Sequence, residues 1–256
     1  MDEPQPEPVA DLVRRLITGG SWDRWEHAVD AAVGASEAGE AALAYALPLV
    51  TRDRRVGIAA ALGDTRGPAG AAALREAALG TGASQDLRCA ALLALAKREG
   101  PAATPALLDG LALRNTTVKE YALIGLCRVG DDAAWEPVFQ RLEQMLTRPI
   151  QQSWPVSAVV RALCFLGSRA GADQRRRERT VALIRSRWSS VLPDARAWLH
   201  AYWPAAAPSG PSQEQVPPPD ATELAAYLQG DPLFEPLNGP SWRNGVLTGR
   251  PRQHTG

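Results

Sequence analysis

From Val9 to about Trp203 the apolar residues recur at i, i+3 and i+4 intervals, and turn residues break this rhythm at short spacing. No stretch alternates apolar and polar residues as a strand requires, so the periodicity predicts an all-α body. The pattern also repeats on a longer scale. Aligning Trp25, Val56, Leu87 and Val118 gives three successive intervals of 31 residues. Three positions after this anchor stand Ala28, Ala59, Ala90 and Tyr121; four after it stand Val29, Ala60, Ala91 and Ala122. Six after it come Ala31, Leu62, Leu93 and Ile124. The anchor and the next two of these columns share one side of a helix, so each repeat carries the same buried stripe. A fixed period of this length marks stacked helical repeats.

The residue three before the anchor is Asp53, Ser84 and Asn115 in three repeats, and Ser153 before Val156 in a later one. Each can accept a hydrogen bond from the free N–H groups at a helix start. In the first repeat the cap moves by one residue, to Ser21. First helices are predicted at 8–18, 37–50, 68–79, 101–113, 132–146 and 174–191, and second helices at 21–34, 53–63, 85–98, 116–129, 154–168 and 193–203. Gly100-Pro101 and Leu192-Pro193 punctuate them, because proline suits a first helical turn and cannot continue the helix before it. A single pair cannot bury its own stripe, whereas stacked pairs can. The expected architecture is therefore a right-handed α-solenoid of about six pairs over residues 8–203, with second helices lining the inner face. Residues 1–7 are expected to be disordered.

The segments SQDLRCAALLALAKREGPAATPALLDGLA and NTTVKEYALIGLCRVGDDAAWEPVFQRL resemble HEAT repeats, particularly the short bacterial type related to bilin-lyase-like repeats. The resemblance is strongest over residues 53–147. It implies a surface that holds other macromolecules, and a basic residue after the anchor that joins a ladder with acidic or amide groups of neighbouring repeats. Arg88 and Lys119 match that position, while Glu26, Gly57 and Ser157 depart from it. Metal-dependent hydroxylases of HEAT type carry several His-Glu pairs, but this chain has three histidines in all, and Glu26-His27 runs in the reverse order. DNA glycosylases of HEAT-like fold use tryptophans and an acidic residue along a basic groove. Trp154, Trp188, Trp198 and Trp203, with Asp194, are the corresponding residue types here.

Charge changes the picture locally. The 28 basic and 28 acidic residues cancel over the whole chain, yet residues 1–50 carry −6 and residues 148–187 carry +7. Arg148, Arg175, Arg176, Arg177, Arg179 and Trp188 are therefore the candidate anion or nucleic-acid patch. The alternative reading of the same arginines is a solvated helix start beside tryptophans that close the end of the stack. Cys89, Cys127 and Cys164 are widely spaced within apolar patterns, which predicts buried thiols. His27 with Asp23 and Asp30 is the one candidate metal cluster, and the polar face of a first repeat accounts for it better. The chain has no GxxxxGK[ST] and no GxSxG motif, so no catalytic residues, metal or cofactor are expected.

After Trp203 the composition shifts. Residues 204–220, PAAAPSGPSQEQVPPPD, read as a flexible Pro-rich linker. Residues 221–256 read as a mostly disordered tail with one short helix capped by Asp220, on which Leu224, Tyr227 and Leu228 make an apolar stripe. Leu233, Phe234, Leu237 and Trp242 follow as a docking segment for the chain's own groove or for a partner. The expected function is a non-catalytic, cytoplasmic scaffold or adaptor that binds a protein on its concave face through Glu26, His27, Asp30, Arg88, Lys119, Glu120 and Arg161. Nucleic-acid binding through the Arg/Trp-rich repeats is the alternative, and no membrane partner is expected.

Overall fold

The computed structural model describes residues 9–147 and 157–230. Among these every regular element is helical: α1 (Val9–Thr18), α2 (Trp22–Gly34), α3 (Ser36–Ala46), α4 (Arg52–Leu62), α5 (Pro68–Leu79), α6 (Gln85–Glu99), α7 (Thr104–Ala112), α8 (Thr116–Val129), α9 (Trp135–Thr147), α10 (Ala158–Ser168), α11 (Gln174–Ser186), α12 (Pro193–Tyr202) and α13 (Ala221–Gln229). Helices α1 to α12 stand where the apolar period places them. No described helix is long and apolar enough to cross a membrane.

The caps follow the sequence in part. The Ser84 hydroxyl accepts from the Leu87 amide at 3.3 Å, and Asn115 Oδ1 accepts from the Val118 amide at 3.1 Å. At α4 the N-cap is Thr51 rather than Asp53, which lies inside the first turn, where its charge still faces the positive end of the helix. At α10 the cap is Ser157, whose hydroxyl accepts from the Val160 amide at 3.3 Å; Ser153 and Trp154 lie outside the described residues. Ser21 is the N-cap of α2, as expected, but through its backbone conformation and not a side-chain bond.

The chain forms two compact units, divided between Ala122 and Leu123. In the first, the helices make two layers. α1 packs on α3, α3 on α5 and α5 on α7, while α2 packs on α4 and α4 on α6. Alanines at the repeated columns allow these close approaches. The Trp25 ring is fully buried and takes the space beside α4, where a Cβ on Gly57 would lie 2.6 Å from Trp25 Cη2. The glycine that departs from the expected basic column is therefore required by packing. Two polar rungs join successive even-numbered helices at their first turns: Arg52 pairs with Asp86 at 3.0 Å, and the Asn115 amide donates to Gln85 Oε1 at 2.9 Å.

The second unit is organised around one helix. α10 is buried from Ala158 to Gly167, and α9, α11, α12 and α13 all pack on it. The expected flexible linker is instead an ordered strap. Trp203 Nε1–H donates to the Pro217 carbonyl at 2.9 Å, and Val216 is buried. The Arg185 guanidinium donates to the carbonyls of Ala205 at 2.9 Å and Pro211 at 2.7 Å. Proline removes N–H donors but leaves carbonyls, and those carbonyls find donors on the body of the unit. The short helix forms as read from the sequence. Asp220 Oδ1 accepts from the amides of Thr222 and Glu223 at 2.8 and 3.2 Å, and Leu224 and Leu228 are buried.

Candidate interaction surfaces

The residues expected to line a concave binding face differ widely in exposure. Val56 to Leu62 of α4 and Cys89 to Ala96 of α6 are buried without interruption, so these even-numbered helices expose little beyond their first turns. Glu26 is 1% exposed and accepts a 2.9 Å bond from Trp22 Nε1, because the Trp22 ring one turn earlier folds over Trp25 and covers the carboxylate. Arg161 is likewise 1% exposed, within the buried run of α10. Arg88 turns back on its own repeat: its guanidinium donates to the carbonyls of Ala78, Gly80 and Ala83 at 3.0, 2.7 and 3.2 Å. It closes the end of α5 instead of joining a ladder to the next repeat. Arg55, Arg177 and Arg196 do the same for the loops before their helices, through the carbonyls of Val50, Ala170 and Trp188. His27 and Asp30 are exposed on α2, and Lys119 and Glu120 are half-buried on α8.

The basic set is largely committed to local partners. Arg179 makes a bidentate pair with Glu136 at 2.7 and 3.0 Å, and lies 4.4 Å from the Phe139 ring centre. Arg176 pairs with Asp132 at 2.9 Å and lies 5.1 Å from the Trp135 ring centre. The guanidinium of Arg179 holds the Glu136 carboxyl below the usual carboxylate range. Arg177 is bound to the Ala170 carbonyl, Arg175 is exposed, and Arg148 lies outside the described residues. The unfavourable placement of cations at this helix start is offset from within the unit, since Asp173 Oδ1 caps the amides of Arg175 and Arg176 at 2.9 and 3.2 Å. Trp188 is half-buried, its ring perpendicular to that of His200 with centres 5.8 Å apart, and the Arg196 guanidinium lies 5.5 Å from its ring centre.

Two features escaped the sequence. The first is a polar knot inside the first unit. The Glu40 carboxylate is 1% exposed and accepts from the Gly67 and Gly70 amides at 2.5 and 2.6 Å, filling the anion site at the start of α5. The Arg98 side chain, 3% exposed, pairs with it at 3.4 Å and also donates to the Leu62 and Gly67 carbonyls and the Thr65 hydroxyl. Burial pushes the Glu40 carboxyl up. The Gly70 and Gly67 amides, Thr65 and Arg98 more than reverse this and hold it below the usual range. An acidic residue within the alanine-rich stripe Gly39, Glu40, Ala42, Leu43 was the available signal. The second feature is an exposed apolar pair near the end of α3, Tyr45 at 62% and Leu49 at 53%.

The three cysteines are buried thiols outside any disulfide. Burial pushes the thiols of Cys89 and Cys164 up to about 12. Both are therefore neutral and weakly nucleophilic near pH 7. His27 Nδ1 lies 2.6 Å from the Asp23 backbone carbonyl, and among the described residues no group of three His, Cys, Asp or Glu side chains is placed to hold a metal ion. The expected docking residues Leu233, Phe234, Leu237 and Trp242 lie outside the described residues. Comparison with known proteins finds no matching family model, no matching curated protein and no matching solved structure.

Proposed function

We propose that the chain is a non-catalytic adaptor built on HEAT-like helix pairs stacked as a right-handed solenoid, and that it holds a protein partner. The 31-residue repeat and the two-layer packing of α1 to α7 support the repeat reading. The partner surface is not the inner layer, whose middle turns are sealed, but the end of α3. The observation that carries this is the exposure of Tyr45, on the last turn of α3, and of Leu49, three residues past its end, each more than half exposed. Large apolar side chains kept together at a surface mark contact sites, and tyrosine serves them well because it adds apolar area and a hydroxyl at little entropic cost.

The test uses the full chain as bait in native extract. Wild type is expected to retain one protein at stoichiometric level, Y45E/L49E to lose it, and H27A/D30A to keep it. Absence of any stoichiometric partner for wild type, or equal retention by Y45E/L49E, refutes the reading.

A further inference from the structure

In the first unit, the exposed side of α3 is an uncharged stripe. Ala38, Ala41 and Tyr45 are exposed at helical spacing on one side of the helix, and exposed Leu49 follows just past its end. Glu40 is buried, and Glu37, the one exposed charge of α3, lies about two turns before Tyr45. Tyr45 and Leu49 are the two most exposed large apolar side chains among the described residues.

The helices that flank α3, α1 and α5, carry charges of opposite sign. Short turns join each odd-numbered helix to the even-numbered one packed against it, so α1, α3 and α5 run in the same direction. The 31-residue period then sets Arg14, Tyr45 and Glu76 at the same level, and all three are exposed. The charges of α1 are Asp11, paired with Arg14 at 2.9 Å, and Arg14 and Arg15, which leaves this flank basic. On α5, Arg75 turns to Glu99 at 2.6 Å, which leaves Glu76 to make that flank acidic. A face with an apolar centre, a positive flank and a negative flank is complementary to its own copy. A two-fold axis parallel to α3 lays Tyr45 and Leu49 of each copy on the same residues of the other, and sets each Arg14 across from the other copy's Glu76. An axis across α3 puts α1 on α1 and α5 on α5, like charge against like.

We propose that the protein held at the end of α3 is a second copy of this chain, docked through the exposed sides of α1, α3 and α5 about a two-fold axis parallel to α3. The proposal rests on the α3 surface of the adaptor reading and names its occupant. Such a contact uses the same patch on both copies and closes at two.

Sedimentation equilibrium of the full-length protein, from about 1 to about 100 μM, tests this. Wild type is expected to be a dimer at the upper concentrations and Y45E/L49E a monomer throughout. R14E and E76R each set two like-charge contacts in the interface, and each should weaken the dimer at least about tenfold. R14E/E76R exchanges the two signs and should return to within about threefold of wild type. All four positions are exposed, so the variants are expected to fold, and unchanged thermal unfolding verifies it. A wild type still monomeric at about 100 μM, a dimer indifferent to Y45E/L49E, or an R14E/E76R dimer no tighter than the single variants overturns the proposal. A monomeric wild type that nonetheless retains a different protein from native extract, lost in Y45E/L49E, overturns the second copy as occupant and leaves the adaptor reading standing.

Discussion

The two units hold together around differently built centres. The first has a polar heart, Glu40 and Arg98, set among layers of alanine-rich helices and linking α3, α5 and α6, partly through backbone groups. The second is built around α10, which buries Phe165 and Leu163 and, between the helices that wrap it, the side chain of Arg161 as well. The difference follows from what each must position. Evenly repeated helices can slide past one another along similar alanine surfaces, and a buried charge with fixed partners gives them one register. A central helix wrapped by others has its place defined largely by shape, and its one buried charge, Arg161, sits in an otherwise apolar run. That polar groups serve specificity in this way is a hypothesis for this protein.

Breaking either heart should give the largest effects. Glu40→Ala leaves the Gly67 and Gly70 amides without their acceptor and the buried Arg98 charge without its carboxylate, and is expected to cost about 3–5 kcal/mol in denaturant unfolding. Phe165→Ala is expected to cost about 3–5 kcal/mol through the cavity it opens. Hydrogen exchange localises each loss, to α3–α6 for the first and α10 for the second; exchange that rises equally throughout in both variants would erase the distinction between the units.

Acidity separates the hearts further. Glu40 is held below its unfolded value, so its contribution is complete above about pH 4.3, the ordinary carboxylate value, and disappears as pH falls through the lower folded value. The stability gap between wild type and Glu40→Gln should therefore shrink on acidification, while the gap for Phe165→Ala stays constant. A constant gap for Glu40→Gln would show that the carboxylate charge is immaterial to the knot. A smaller effect tests packing in the first unit: Gly57→Ala drives a methyl into the Trp25 ring and should cost about 1–3 kcal/mol. The smallest is at the surface of the second unit. Arg179→Ala removes a half-exposed pair with Glu136 and should cost no more than about 1 kcal/mol. A larger loss would mean that the lattice of Arg176, Arg179, Trp135 and Phe139 acts as a second centre.

The helices were legible because their signal is local. Period, caps and proline punctuation reside within one turn or one repeat, and α1 to α13 fall close to where those signals put them. The surface was far less legible. Glu26 and Arg161 occupy positions that a helical wheel assigns to solvent, but in short helices packed on several sides that direction is covered by a neighbour. Arg88 has the residue type of a ladder and the geometry of a loop clamp, and the direction a guanidinium takes is set by which carbonyls lie nearby. The strap reads as linker because its composition lacks large apolar groups, yet its carbonyls are held by Arg185 and Trp203.

The sequence by itself determined the helical class, the 31-residue period and the burial of the three cysteines, since all depend on the spacing of side chains along one chain. Tertiary structure alone decided which charges are surface and which are core. Glu40 meets Gly67, Gly70 and Arg98 only when α3, α5 and α6 come together, and α13 finds α10 only across the strap. Periodicity encodes which side of a helix is covered, but the partner that covers it is chosen by packing at long range.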